Sequence, residues 1–301
     1  MEQLYFDFPN DDILLAHPAG GDQVIPVQVS YDNVEFSINH SGMWAGFPEQ
    51  QTSTLSSQQR WHLQMNGPRN SVDTYLLEGP EYATKIIAGP IRIKQIEKRI
   101  PKLQVSFSCL NKSPEDIREI LNRQFKPWDN MKLLSIEVVV DVLCSNIDLI
   151  TKGFMAFGAK DFSRQGDTYH FGSSMTPRSY SVYKVSKEVV GKDLNPHDHS
   201  VIRIKANLKF SPEERPYAMA WLNGTWQPAA YNNVNIANVF SRWQRLTASE
   251  QGYLQQHGLF QTIREASLPR NRRQDLRNLA RKNVLFPIRS YVEHELGKWA
   301  S

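Results

Sequence analysis

The chain has 301 residues, a formal net charge of +4 and a sequence pI near 8.9. An apolar fraction of 40% with 22% charged residues is the composition of a soluble globular protein, and the basic balance permits an anionic partner without requiring one. The two cysteines, Cys109 and Cys144, exclude a disulfide framework and a zinc site made of cysteine alone.

The opening MEQLYFDFPNDD is acidic and aromatic, so no signal peptide is expected. The most apolar run, Val138–Cys144, is interrupted by Asp141 and is too short to span a bilayer. A cytosolic protein with no membrane partner is expected. Residues 1–80 lack a helical period and read as loops with strands at Val24–Val29, Val34–Ile38 and Trp61–Met65. Pro90 argues against one helix over Tyr75–Glu97. Leu103–Ser108 reads as a strand. Ser113 and Pro114 then open a helix, as N-cap and first helical residue, with Glu115 and Asp116 in the first turn.

Lys132–Leu143 is the most strand-like segment. Its side chains alternate, with Ile136, Val138, Val140 and Val142 on one face and Glu137, Val139 and Asp141 on the other. Two carboxylates on a β-branched strand need water, a cation or a basic neighbour. They suit a hard divalent ion, Mg²⁺ or Mn²⁺, or a set of cross-strand ion pairs. Asn146 caps an expected helix over Ile147–Phe157. Thr168–Glu188 then reads as strand, Gly/Ser/Pro turn and strand. In it Tyr183 shares a face with Ser181 and Val185, and Tyr180 and Lys184 point the other way. A phenol with a pKa of about 10 is a weak nucleophile unless a cation favours the phenolate, a task for Lys184 or Lys187. A tyrosine packed by its ring is the plainer alternative.

His197-Asp198-His199 is a metal-ligand spacing or a polar turn. Val201–Phe210 alternates again. Arg203, Lys205, Asn207 and Lys209 form a cationic face, fit for phosphates or for pairing with Glu137 and Asp141. From Asn235 onward the pattern is helical. Arg264–Arg289 carries eight basic and two acidic residues, and Arg270, Arg273, Arg277 and Arg281 form a helical stripe suited to a phosphate backbone. No P-loop, GxGxxG, zinc cluster or local Ser-His-Asp pattern is present. The expected fold class is α+β, with an antiparallel-sheet core over 1–229 and a helical basic region over 230–301.

The order of strand, hairpin and strand resembles the rolling-circle replication initiators of plasmids and filamentous phages. Their pattern is R-I-D-x-x-x-D, then Y-x-K-x-x-E, then R-x-E-x-x-x-K. Here the pieces read SIEVVVD (135–141), FGSSMTPRSYSVYKVSKE (171–188) and RIKANLK (203–209). The resemblance implies an endonuclease that nicks one origin strand, stays joined to its 5′ phosphate through a tyrosine, primes synthesis from the 3′ hydroxyl and later reseals. It makes Tyr183 the nucleophile, with Lys184 and Arg203 as catalytic helpers. Glu137, Asp141 and Glu188 become ligands for Mg²⁺ or Mn²⁺, and Arg178, Lys205, Arg270, Arg273, Arg277 and Arg281 contacts to DNA. Origin duplex and single strand, a host helicase and a second copy of the chain are the partners implied. Ser135 stands where the family has arginine, and Lys205 where it has glutamate. Those two departures support a second expectation, a non-catalytic DNA-binding protein on the same scaffold.

Overall fold

The computed structural model describes residues 24–39, 60–64, 73–79, 82–91, 100–108, 112–124, 131–144, 146–186, 200–239, 244–265 and 267–299. In chain order the elements are β1 (Val24–Asn39), β2 (Arg60–Gln64), β3 (Asp73–Gly79), β4 (Tyr82–Ile91), β5 (Ile100–Ser108), α1 (Pro114–Gln124), β6 (Lys132–Cys144), α2 (Ile147–Gly153) and β7 (Phe154–Ala156). There follow β8 (Phe162–Gln165), β9 (Thr168–Phe171), β10 (Arg178–Val185), β11 (Ser200–Lys209), α3 (Ala218–Leu222), β12 (Val234–Ala237), α4 (Ala248–Glu265), α5 (Arg270–Lys282), β13 (Val284–Phe286) and α6 (Ile288–Trp299).

The class is α+β. Ten strands form one antiparallel sheet in the order β2-β3-β4-β5-β1-β6-β11-β10-β9-β8, and β13-β12-β7 form a second, smaller one. Long β1 and β6 sit in mid-sheet and pair with each other. Pro26 has no N–H to give to that ladder, and the β1–β6 register shifts beside it. A second shift lies between Tyr31 and Val34. The sequence suggests a break near residues 30–33; the chain instead continues as one strand through that irregularity, because β6 pairs with it before and after and β5 takes it up from Asn33.

One face of the sheet is apolar. Ile136, Val138, Val140 and Val142 of β6 and Ile202, Ile204, Ala206 and Leu208 of β11 are all buried there. Helices, the small sheet and the turn before β12 cover them with Phe154, Trp221, Tyr231, Phe260 and Val292. Each such side chain contributes about 1.5–3 kcal/mol by leaving water.

The helix starts follow from local chemistry. Ser113 Oγ accepts from Asp116 N at 3.1 Å, and Asp116 Oδ2 accepts from Ser113 N at 2.9 Å, a reciprocal cap. Asn146 accepts from Asp148 N at 2.9 Å. The helix it opens ends at Gly153, short of the expected Phe157. Residues 154–156 are drawn into β7 by pairing with Val234–Ile236, a partner some 80 residues away that no local pattern announces.

The chain beyond residue 230 is built into the same hydrophobic core. Trp299 of α6 packs against Tyr31 of β1 at 4.6 Å and stacks on Trp221 at 5.3 Å. The Tyr231 hydroxyl lies 2.7 Å from Ile204 O and 2.9 Å from Val138 O, so it bridges two central strands from below. This region is not purely helical, since β12 and β13 interrupt it. Among the described residues no helix is long and apolar enough to cross a membrane.

Candidate functional site

The other face of β6, β11, β10 and β9 is polar, and the strand registers arrange it in rows. Tyr183 stands across from Arg203, and Arg203 across from Asp141. The next row holds His170, Ser181, Lys205 and Val139. The third holds Ser179, Asn207 and Glu137. Rows two residues apart are separated by about 6.8 Å. Because the period of a strand is two, the alternation read from SIEVVVD and RIKANLK fixes which side chains share this face, and the register decides which of them meet.

Asp141 and Arg203 form a buried fork. Arg203 Nε donates to Asp141 Oδ1 and an Nη2 hydrogen to Oδ2, both at 2.8 Å, and Gln28 Nε2 adds a bond to Oδ2 at 2.9 Å. The side chains are 5% and 0% exposed. The hydrogen bond to Asp141 holds the Arg203 pKa above the usual arginine value, with burial opposing it. Arg203 is therefore a support beneath this face, and Tyr183 lies beside it half-buried.

Lys205 is the centre of the second group. Its Nζ donates to Asp32 Oδ2 at 2.5 Å and to Glu137 Oε2 at 3.1 Å. Asn207 Nδ2 reaches Glu137 Oε1 at 3.4 Å. Burial works against the ammonium, but the hydrogen bond to Asp32 and the charge of Glu137 outweigh it and hold the Lys205 pKa above that of a free lysine. Burial pushes the Glu137 carboxyl up, and the Lys205 charge only partly offsets this. Ser135 donates to Glu35 at 2.8 Å farther along the same face.

A depression of about 520 Å³ opens beside these rows, lined among others by Glu137, His170, Ser181, Lys205 and Asn207. His170 Nδ1 and Ser181 Oγ are 2.9 Å apart within it. Its rim is the β9–β10 turn. Gly172 has φ of 87° there, and a Cβ would come within 3.0 Å of Arg178 O, so this turn needs glycine. Lys209 Nζ donates to Ser174 O at 2.7 Å and ties the turn to β11.

The structure brings Tyr183, Arg203, Asp141, Lys205 and Glu137 onto one face. It does not bring Lys184 there: that residue is exposed, across from Ile202 on the opposite parity. Arg178 also lies on the helix side, beside the Tyr180 hydroxyl, whose pKa burial raises and Arg178 pulls back. Glu188, Lys187, His197 and His199 lie outside the described residues.

On α5 the arginine stripe straddles the edge of the docked face. Leu276 and Ala280 are buried, Arg273 and Arg277 half-buried, and Arg270 and Arg281 exposed. Arg273 Nε turns back to Leu268 O at 3.0 Å, and the Arg281 guanidinium sits 4.7 Å from the Phe157 ring centre. Arg272, outside the stripe, forms a fork with Glu250 at 2.6 and 2.7 Å.

Asp32, Gln28 and His170 were not among the residues the sequence singled out. A signal for the first two was present: Gln28, Ser30 and Asp32 alternate with Val27, Val29 and Tyr31.

A divalent ion does not fit the described donors. Asp141 spends its oxygens on Arg203 and Gln28, and Glu137 spends its own on Lys205 and Asn207. Among the described residues no group of three His, Cys, Asp or Glu side chains could hold a metal. Cross-strand ion pairing is what these two acids do.

No protein-family model matches the chain, and no curated protein sequence matches it. Among solved structures, the rolling circle replication initiator protein from Geobacillus stearothermophilus is similar over 85% of this chain and 97% of that one, at 11% identity and a TM-score of 0.35. So distant a likeness assigns no role to any residue here.

Proposed function

We propose that this chain nicks and rejoins one DNA strand through Tyr183 and so initiates rolling-circle replication. The observation that carries the reading is the placement of Tyr183: half-buried on a polar sheet face, in the row of the buried Arg203–Asp141 fork and one row from Lys205. The phenolic oxygen attacks phosphorus, and the bond from phosphorus to the 3′ oxygen breaks. The phenol proton ends on that 3′ oxygen, and tyrosine stays linked to the 5′ phosphate. Attack by a 3′ hydroxyl reverses each bond change and reseals the strand. Lys205 supplies positive charge near the phosphate, and the fork holds the sheet face rigid under the ring. The exposed Arg270, Arg281 and Lys282 of α5 grip duplex DNA by charge. A host helicase and a second copy of the chain belong to the same proposal.

The test uses single-stranded oligonucleotides tiling the replicon that encodes the chain, with Mg²⁺, Mn²⁺ or chelator. One oligonucleotide gives a denaturant-stable protein–DNA adduct with the native chain and none with Tyr183→Phe. An unchanged adduct with Tyr183→Phe, or none in any condition, refutes the reading.

A second reading is favoured by the saturation of Glu137 and Asp141 with cationic partners. On it the face binds DNA without cutting it. Binding then persists in Tyr183→Phe with an unchanged salt dependence, and no adduct forms.

A further inference from the structure

Three strands converge on one ammonium. Asp32 comes from β1, Glu137 from β6 and Lys205 from β11, and the three side chains are only 21%, 18% and 22% exposed. The β1–β6 register that pairs Ser30 with Val139 and Tyr31 with Val138 leads Asp32 to Glu137, just before the register shift that precedes Val34. Oxygen donors gathered from separate strands around a positive centre are how a protein cages a hard cation. Here the positive centre is covalently part of the chain. An ammonium has three donors and one charge, and two are spent on carboxylates at 2.5 and 3.1 Å.

We propose that the Lys205 ammonium is the resident cation of this site, standing between Asp32 and Glu137 in place of a divalent ion, so that the polar face works without a metal. The inference deepens the nicking proposal and rests on it for its catalytic part alone; the occupancy of the cage is independent of DNA. Three consequences follow from the geometry. Both carboxylates are engaged by the ammonium and so unavailable to Mg²⁺ or Mn²⁺. The cation cannot be removed by a chelator. Removing the lysine charge leaves two converging acids and an amide, Asn207, in the right place to hold an ion. The ammonium lines the same depression as Ser179, Ser181 and His170, where a strand laid across the face would meet it.

The experiment is a Mn²⁺ titration followed by electron paramagnetic resonance of the free ion. It uses the full chain, Glu137→Gln, Lys205→Ala, and Lys205→Ala combined with Glu137→Gln; Lys205→Gln serves if the alanine variant melts early. The native chain is expected to show no Mn²⁺ site that Glu137→Gln abolishes. Lys205→Ala gains one at least tenfold tighter, and adding Glu137→Gln removes it. A Mn²⁺ site in the native chain lost on Glu137→Gln, or no gain in either folded lysine variant, overturns the proposal. In the nicking assay the native adduct survives chelator, and Lys205→Ala makes adduct only with Mn²⁺. A native adduct that requires Mn²⁺ also overturns the proposal. If no variant makes adduct, the nicking reading fails and the titration still decides what occupies the cage.

Discussion

Asp141→Asn tests how the polar face is supported. The substitution keeps the size of the side chain and removes its charge. Arg203, 5% exposed, then faces an amide that offers one acceptor in place of two charged oxygens at 2.8 Å. Charge centres roughly 4 Å apart interact by about 4 kcal/mol at an effective dielectric constant of 20. That agrees with the roughly 3–5 kcal/mol lost when one partner of a buried pair is removed. The asymmetry is the decisive part: the cost comes from stranding the guanidinium, so Asp141→Leu with Arg203→Met should restore most of the lost stability. Urea unfolding at constant m-value measures Asp141→Asn, Asp141→Leu, Arg203→Met and the double variant. A loss below about 1 kcal/mol for Asp141→Asn, or a double variant as unstable as the sum of both single changes, refutes the reasoning.

The Glu250–Arg272 fork makes stability depend on acid pH. The hydrogen bond from Arg272 pulls the Glu250 carboxyl from 4.5 to about 2, with burial opposing. A depressed acid binds fewer protons when folded, so its contribution is full above about 4.5 and fades as pH falls toward 2. Arg272 is 31% exposed, so solvent screening leaves about 1–2 kcal/mol. Glu250→Gln should flatten the melting temperature in that window, and an unaltered slope would count against the fork. Tyr231→Phe leaves Ile204 O and Val138 O without the buried hydroxyl and should cost about 1–3 kcal/mol in thermal melts. A change under about 0.5 kcal/mol would mean the strands satisfy each other unaided. Gly153→Ala places a Cβ 2.2 Å from Ala237 O and should destabilise by at least 1–3 kcal/mol, whereas Gly252→Ala meets nothing within 4 Å and should be neutral or mildly stabilising. Equal effects at the two glycines would show that β12 yields freely.

Much of the site was legible because its strands are regular. Alternation in residues 135–142 and 201–210 sorted Glu137 and Asp141, and Arg203 and Lys205, onto polar faces, and both sets are found there. Serine and asparagine caps were legible for the same reason, since each acts within three residues of itself. Three features were not. The length of α2 was cut by β12. The short strands β12 and β13, of four and three residues, exist only by pairing. The stripe on α5 looked outward, yet Arg273 bends back to its own N-terminal turn, because the periodicity does not say where the docked face ends.

By itself the sequence determined the faces: a period of two residues assigns each side chain to one side of its strand whatever the strand's neighbours are. Only the tertiary structure decided the partners, because sheet order and register join residues far apart in the chain. Arg203 meets Asp141 across 62 positions and Lys205 meets Asp32 across 173, and no local pattern carries those distances. The same charges would be metal ligands on one register and ion pairs on another, and the register found makes them ion pairs.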